Sequence, residues 1–476
     1  MAVWKLVLSC LCHSLLGFSC MFHAAAFNPM ESAIKSFISH SLLRYNVQSQ
    51  SATTWVWSVL SSTTKLSWIM AALLLTPLAD RLGRKTSCCL IPSLCVITGS
   101  VLMTAAQPLN LFELLLIGRL LSMMAVVGLV FGMVFMTECC PVHLRALTCK
   151  LIYMGSPLWQ SIGSTIALPQ LLGSRDHWMF VVAIPLIPAL LYGCVCLFWL
   201  HESPTFLYQV RENLLESKRA FVFYHGSEEK WEEFRERMRQ EKAMQREGIG
   251  LKTLFTVKQY RWPLILSVVV GLAMNAGGVD LVVSYSTQVM REYLNCSKQT
   301  AAFLTMLLVF WPNVLVVLVS MLLNKLKVSQ RKQFLGAMLI TDLGAVFVFL
   351  SMLFKQLPLG LIGFLACIWC YYGALGSLGS FLVGEICLQN MRALASTVRI
   401  LAQGLGATAQ ILLYPPLNSV IGPSAYLLCA LLVDPFSLLF LYRFLPETQG
   451  VSVDETVNKF CGEPQSEAAV ENETKF

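Results

Sequence analysis

Charge is what this chain has little of: 13% of its 476 residues are Asp, Glu, Lys or Arg, while 56% are hydrophobic. A soluble domain carries roughly a quarter charged residues, so a water-facing globular protein is excluded and an integral membrane protein is expected. Also lacking are a Walker-type phosphate loop, a nucleophile constellation and a His/Cys cluster at metal-ligand spacing. Without them the sequence gives no ground for an enzyme, and no metal or cofactor is expected. The net charge of +8 has no basic face behind it. Its cations sit in short loops between apolar runs, which reports orientation in a membrane and not a nucleic-acid partner. Most of the 17 cysteines, among them Cys10, Cys20, Cys194 and Cys367, lie inside apolar runs, where the thiol behaves as a small hydrophobe.

What is present is a series of apolar runs of about 20 residues, enough to cross a bilayer as a helix. They are Leu6–Phe27, Thr54–Leu78, Cys88–Ala106, Phe112–Met136, Leu151–Leu172, Met179–Leu200, Pro263–Met290, Ala301–Leu323, Phe334–Phe354, Leu357–Val383, Ala393–Pro415 and Ala425–Phe444. The first run also has the form of a signal peptide, with Lys5 ahead of it and HAAAF near its end. Retaining it gives about twelve spans, six per half. The expected fold is therefore an all-α membrane protein of two six-helix bundles, 1–200 and 262–444, joined by a charged cytosolic helical linker, 201–261, and followed by a cytosolic tail, 445–476.

The halves repeat. Glu138, Pro141 and Arg145 close one apolar run in GMVFMTECCPVHLR, and Glu385 and Arg392 close another in GSFLVGEICLQNMR. Glu202 with Pro204 has its counterpart in Pro446 with Glu447, and the turn Pro77–Lys85 has a degraded one in Asn324–Lys332. All recur at an offset of roughly 245 residues, the signature of parallel repeats.

Short turns rich in Lys and Arg, such as Asp80–Lys85, Arg145–Lys150 and Asn324–Lys332, lie on one side with the linker. That side is expected to be cytosolic, with both termini there and the protein in the plasma membrane. The loop Pro29–Thr53 is then extracellular, as is the sequon Asn295-Cys296-Ser297, a candidate N-glycan acceptor. A second sequon at Asn472 falls in the tail and should be silent.

Asp80–Lys85, Gly118-Arg119, Glu138 to Arg145, Glu202-Ser203-Pro204, Glu385 with Arg392, and Pro446–Gly450 together resemble the sugar porter family of the major facilitator superfamily, in particular its animal facilitative glucose transporters. The organic ion transporter family shares the charged corners but has a longer first outer loop. The resemblance implies a rocker-switch around a midplane site. It also implies a cytosolic charge network of Asp80, Arg81, Arg84, Glu138, Arg145, Glu202, Glu385, Arg392 and Glu447 that gates the site without touching solute.

At the site itself the chain departs from the family. Met274 and Asn275 stand for its paired glutamines and Asp280 for its asparagine; Tyr153 replaces a sugar-binding glutamine, Asn313 is retained, and Gly404 beside Gln403 replaces a tryptophan. The tenth span's proline-rich hinge becomes GALGSLGSF, Gly373–Phe381. Candidate solute-binding residues are thus Tyr153, Asn275, Asp280, Asn313, Arg399 and Gln403. Ionisable groups inside spans are costly and mark sites by default. Asp280 and Arg399 either bind a charged solute or neutralise one another, while Lys65, Asp342 and Asp434 are expected to be partnered or near an interface. The family's symporters carry an aspartate in the first span; here there is none, and His23 reads as a structural residue.

The expectation is a carrier that moves a small polar solute, a hexose or sugar-like molecule, down its gradient by alternating access. Two rivals stand beside it: a carrier of organic ions or charged metabolites, and a transport-silent nutrient sensor.

Overall fold

The computed structural model describes residues 4–126, 155–244, 256–308, 329–387 and 391–447, with positions 131, 132, 135, 136, 138–141, 144, 148, 151 and 152 between the first two stretches. Every regular element among them is helical. Eight helices are long and apolar enough to cross a membrane: Trp4–Ala26, Gln50–Ala79, Thr86–Leu109, Trp178–Phe198, Lys258–Glu292, Gln330–Phe354, Leu357–Leu375 and Ser424–Phe444. These are the first, second, third, sixth, seventh, ninth, tenth and twelfth expected spans. The fourth, fifth and eleventh contribute Phe112–Met124, Gly155–Ile166 and Arg392–Ile421, and the eighth is described up to residue 308.

The stretch expected as an outer loop is not irregular, because Glu31–Leu42 is a helix. Ala33, Ile34, Phe37, Ile38 and Leu42 recur at helical spacing and are buried, giving this segment an apolar face to pack. The second span begins earlier than its apolar run, at Gln50, where the Ser49 hydroxyl caps it by accepting the Ala52 N–H. It ends at Gly83, whose φ of 108° continues no helix.

Each half contains a helix pair in backbone contact. A Cβ added at Gly99 would lie 2.4 Å from the Gly118 carbonyl oxygen, and one added at Gly118 would lie 2.7 Å from that of Gly99. Gly344 and Gly363 repeat this between the ninth and tenth spans, at 2.9 and 2.6 Å, displaced along the chain by the same roughly 245 residues as the charged corners. Helices in lipid gain from close approach, which small residues allow.

Two spans depart from α geometry where glycine collects. The tenth widens into a π-helical turn at Tyr371–Leu375, within the stretch that replaces the hinge. The seventh breaks between Ala273 and Val279, with Gly277 and Gly278 at φ 63° and 64°. A broken helix leaves an amide that lipid cannot satisfy. Asp342 and Asp434 meet that need, their carboxylates accepting the Gly277 N–H at 3.2 and 2.9 Å. Both aspartates are thus partnered by backbone.

The core joins the halves at one end and divides at the other. Away from the basic turns, Phe22, Trp57 and Trp178 share one apolar cluster with Tyr285, Tyr414 and Tyr426. Toward the basic turns each half has its own cluster, around Cys89, Phe135 and Tyr224 in the first and Leu266, Leu382 and Leu441 in the second.

Candidate functional site

Between the halves lies a cavity of about 500 Å³, lined by residues of both. The break in the seventh span starts a new helix at Val279 and puts Asp280 in its first turn, where the positive end of the helix dipole favours a carboxylate. Asp280 is 6% exposed and pairs with Lys65 of the second span at 2.7 Å. Lys65 also lies 4.5 Å from the Trp68 ring centroid. Of the two readings of Asp280 and Arg399, mutual neutralisation does not form: the partner of Asp280 comes from the opposite half, because the seventh span turns that face toward the second. Asp280 Oδ2 remains buried without a hydrogen-bond partner among the described residues.

Arg399 lines the cavity from the eleventh span and keeps to neutral neighbours. Its Nη1 donates to Gln403 Oε1 at 3.1 Å and lies 3.0 Å from Met274 Sδ, while Gln403 Nε2 donates to the Tyr371 hydroxyl at 3.3 Å. Gln403 thus lines the cavity as expected by position. Asn275 does not: its Nδ2 donates to the Gln403 carbonyl at 3.1 Å, tying the seventh span to the eleventh behind the cavity wall. Tyr153 and Asn313 lie outside the described residues.

Several lining residues are absent from the sequence-derived set. Arg119 projects from the fourth span, donating from Nη1 to the Leu60 carbonyl at 2.9 Å and from Nη2 to Thr64 Oγ1 at 3.2 Å, with its guanidinium carbon 3.9 Å from the Phe27 ring centroid. It satisfies the same rule that singles out Arg399, an ionisable group inside a span. Tyr372 donates to Gln160 Oε1 at 2.8 Å, joining the tenth span to the fifth; no local signal marks such a pair. His23 is fully buried, with Nε2 against the Val182 carbonyl at 3.0 Å and Nδ1 against the Ser122 hydroxyl at 2.7 Å. A carbonyl only accepts, so Nε2 carries the proton and Nδ1 accepts from Ser122.

Beyond the cavity, at the end away from the basic turns, polar groups clasp the halves together. Asn28 Nδ2 donates to the Val283 carbonyl at 2.7 Å and to Ser286 Oγ at 2.9 Å. Glu31 accepts from Lys35 at 2.7 Å and from Arg291 of the other half at 2.8 Å, and Lys35 donates to Gln288 at 3.1 Å.

At that basic end the charged corner of the first half is assembled within itself. Arg84 Nε stands 3.5 Å from Glu138 Oε1, and the Ser203 hydroxyl donates to Glu138 Oε2 at 2.5 Å. Glu202 Oε1 accepts the backbone N–H groups of Lys85 and Ser203, each at 2.8 Å. Its other oxygen occupies the space beside Gly83, 2.2 Å from where a Cβ would be. Burial pushes both carboxyls above the usual range, against the lowering effect of the Ser203 and Arg84 contacts at Glu138 and of backbone N–H groups at Glu202. Arg81 is exposed. Glu385 and Glu447 each keep one buried oxygen without a hydrogen-bond partner among the described residues. Arg145 and the side chains of Asp80 and Arg392 lie outside the described residues.

Residues 9–460 match the family described as Sugar (and other) transporter. Facilitated glucose transporter member 2 of solute carrier family 2 from Rattus norvegicus is 26% identical over 424 residues, 86% of this chain and 78% of the relative. Member 14 of the same family from Homo sapiens is 24% identical over 457 residues, covering 93% and 85%. Among solved structures, the inward open conformation of the xylose transporter XylE from E. coli superimposes with a TM-score of 0.74 at 15% identity, covering 96% of this chain and 99% of that one. XylE bound to 6-bromo-6-deoxy-D-glucose gives 0.73 at 16% identity, with the same coverage. The likeness to these structures is one of fold.

Proposed function

The chain belongs to the Sugar (and other) transporter family, and from that membership we propose a facilitative carrier that moves a small polar solute, hexose-like in size, by alternating access between two six-helix bundles. The single observation that carries the reading is the cavity between the halves, joined beyond it by the Asn28 and Glu31 contacts and bordered at the basic end by the Arg84, Glu138 and Ser203 corner of the first half. In this reading the bundles are 1–200 and 262–444, the linker 201–261 lets them move as bodies, and 445–476 is a tail.

The excess of Lys and Arg at one end supports placing that end in the cytosol, with both termini, and we assign the protein to the plasma membrane. Asn295, exposed at the opposite end after the seventh span, is then on the outer surface and open to N-glycosylation. Arg84, Glu138, Glu202 and their partners act as a cytosolic gate, and Asp280, Arg399 and Gln403 face the solute. The bonded state of both His23 nitrogens and the lack of an acidic residue in the first span favour uniport.

The test is uptake of radiolabelled hexose into proteoliposomes of the purified protein, with and without an imposed proton gradient. Saturable flux indifferent to the gradient is expected. Specific hexose binding without flux would instead make the chain a sensor.

A further inference from the structure

The cavity carries more positive charge than its own residues balance. Among the described residues its charged lining is Lys65, Arg119 and Arg399 against Asp280 alone. Lys65 and Asp280 neutralise one another at 2.7 Å, which leaves two guanidiniums. Arg119 and Arg399 are 4% and 6% exposed, and neither has a carboxylate within ion-pair reach among the described residues. An arginine cannot escape burial by losing its proton, and a buried charge is stabilised by a counter-charge or by a full set of hydrogen bonds.

The two differ in how far the protein meets that need. Arg119 lies over an aromatic face and donates to a carbonyl and a hydroxyl. Arg399 has a side-chain amide oxygen and a thioether, and its Nε is buried with no partner among the described residues. A guanidinium offers parallel N–H donors that suit a carboxylate in bidentate fashion.

We propose that the carried solute is an anion of the sugar-acid class, a polyhydroxylated carboxylate, whose carboxylate is bound by Arg399 while the charge of Arg119 adds to the attraction. This rests on the carrier reading above and narrows its substrate. The carboxylate of the solute supplies the acceptor that Arg399 lacks. Its hydroxyls meet Asp280 Oδ2, the free acceptor of the bridge, together with Gln160, Ser284 and Ser396 on the cavity wall. A volume of about 500 Å³ is far larger than a simple inorganic anion requires and within the range of small-molecule sites.

The experiment uses the purified full chain in proteoliposomes with radiolabelled D-glucuronate and D-glucose, each competed by the other. Saturable glucuronate uptake, weakly inhibited by glucose, is expected. In Arg399→Gln the half-saturation concentration for glucuronate should rise on the order of tenfold or more, and Arg399→Lys should recover part of the loss. Melting temperatures of the variants establish that they are folded. Saturable glucose uptake that excess glucuronate fails to inhibit would overturn the anion inference and leave the carrier reading standing. Glucuronate uptake unchanged in a folded Arg399→Gln would overturn the role given to Arg399. Absence of saturable flux for both sugars in the native protein would take the carrier reading down with it.

Discussion

Lys65 and Asp280 form a buried ion pair, nitrogen to oxygen 2.7 Å, that crosses from the first half of the chain to the second inside the central cavity. Removing one partner strands the other charge, which costs about 3 kcal/mol or more. Lys65→Met and Asp280→Leu should each lower the melting temperature sharply, and the double variant should recover most of the loss because no lone charge remains. Thermal melts of the purified proteins measure it. Additive losses would show that the two groups are not coupled.

The contacts of Glu31 and Asn28 hold one end of the molecule shut. Arg291→Ala, which removes the inter-half partner of Glu31, should shift the population toward states open at that end. Arg145→Ala, in the proposed cytosolic gate, should shift it toward cytosol-open states. Distance distributions between spin labels at the two ends report both. Identical distributions in a variant and the native protein would sink the corresponding gate.

Burial is the largest influence on the Glu138 carboxyl and raises it. The folded state then holds that proton more tightly than the unfolded chain. Stability from this group is greatest below the ordinary carboxylate value of about 4.3 and declines as pH rises through the raised one. Glu138→Gln removes the decline, so its melting temperature relative to the native protein should be higher near pH 7 than near pH 4. An offset equal at both would mean that this carboxyl contributes no such slope.

A side chain at Gly99 must displace the backbone of the fourth span, since even its Cβ would lie 2.4 Å from the Gly118 oxygen. Gly99→Val should cost about 2 kcal/mol, and Gly363→Ala should also destabilise. Gly193→Ala is the matched control, its nearest neighbour being Ser93 at 3.9 Å. Equal melting temperatures for all three variants would contradict the close packing.

The architecture was legible because span length, charged turns and a repeat are properties of the sequence itself, and the glycine pairs carry the same offset as the charged corners. The helix Glu31–Leu42 was also legible in principle through its apolar spacing, yet a search for membrane-crossing length passes over a segment that short. The site was less accessible. Depth along a helix places Asp280 and Arg399 at one level but says nothing of their rotation, and rotation gives Asp280 to Lys65. Asn275 is lost to the wall for the same reason, since one step around the helix separates a lining residue such as Met274 from one that bonds backward. Arg119 met the criterion for a site residue and was absorbed into a motif, so its charge was counted as topology.

The break in the seventh span has a mechanical consequence. The portion Lys258–Ala273 packs with the eleventh and twelfth spans, while Val279–Glu292 carries Asp280, Val283, Ser286, Gln288 and Arg291, which all bond to the first half. The second portion also packs against the tenth and eleventh spans of its own half, but it is the portion bonded across to the first. Between the two portions the Gly277 amide is held by Asp342 and Asp434, so the backbone break separates the part anchored in the second half from the part that reaches across. With solute bound at Asp280 as proposed, occupancy of the cavity competes with one of the bonds by which this segment holds the first half.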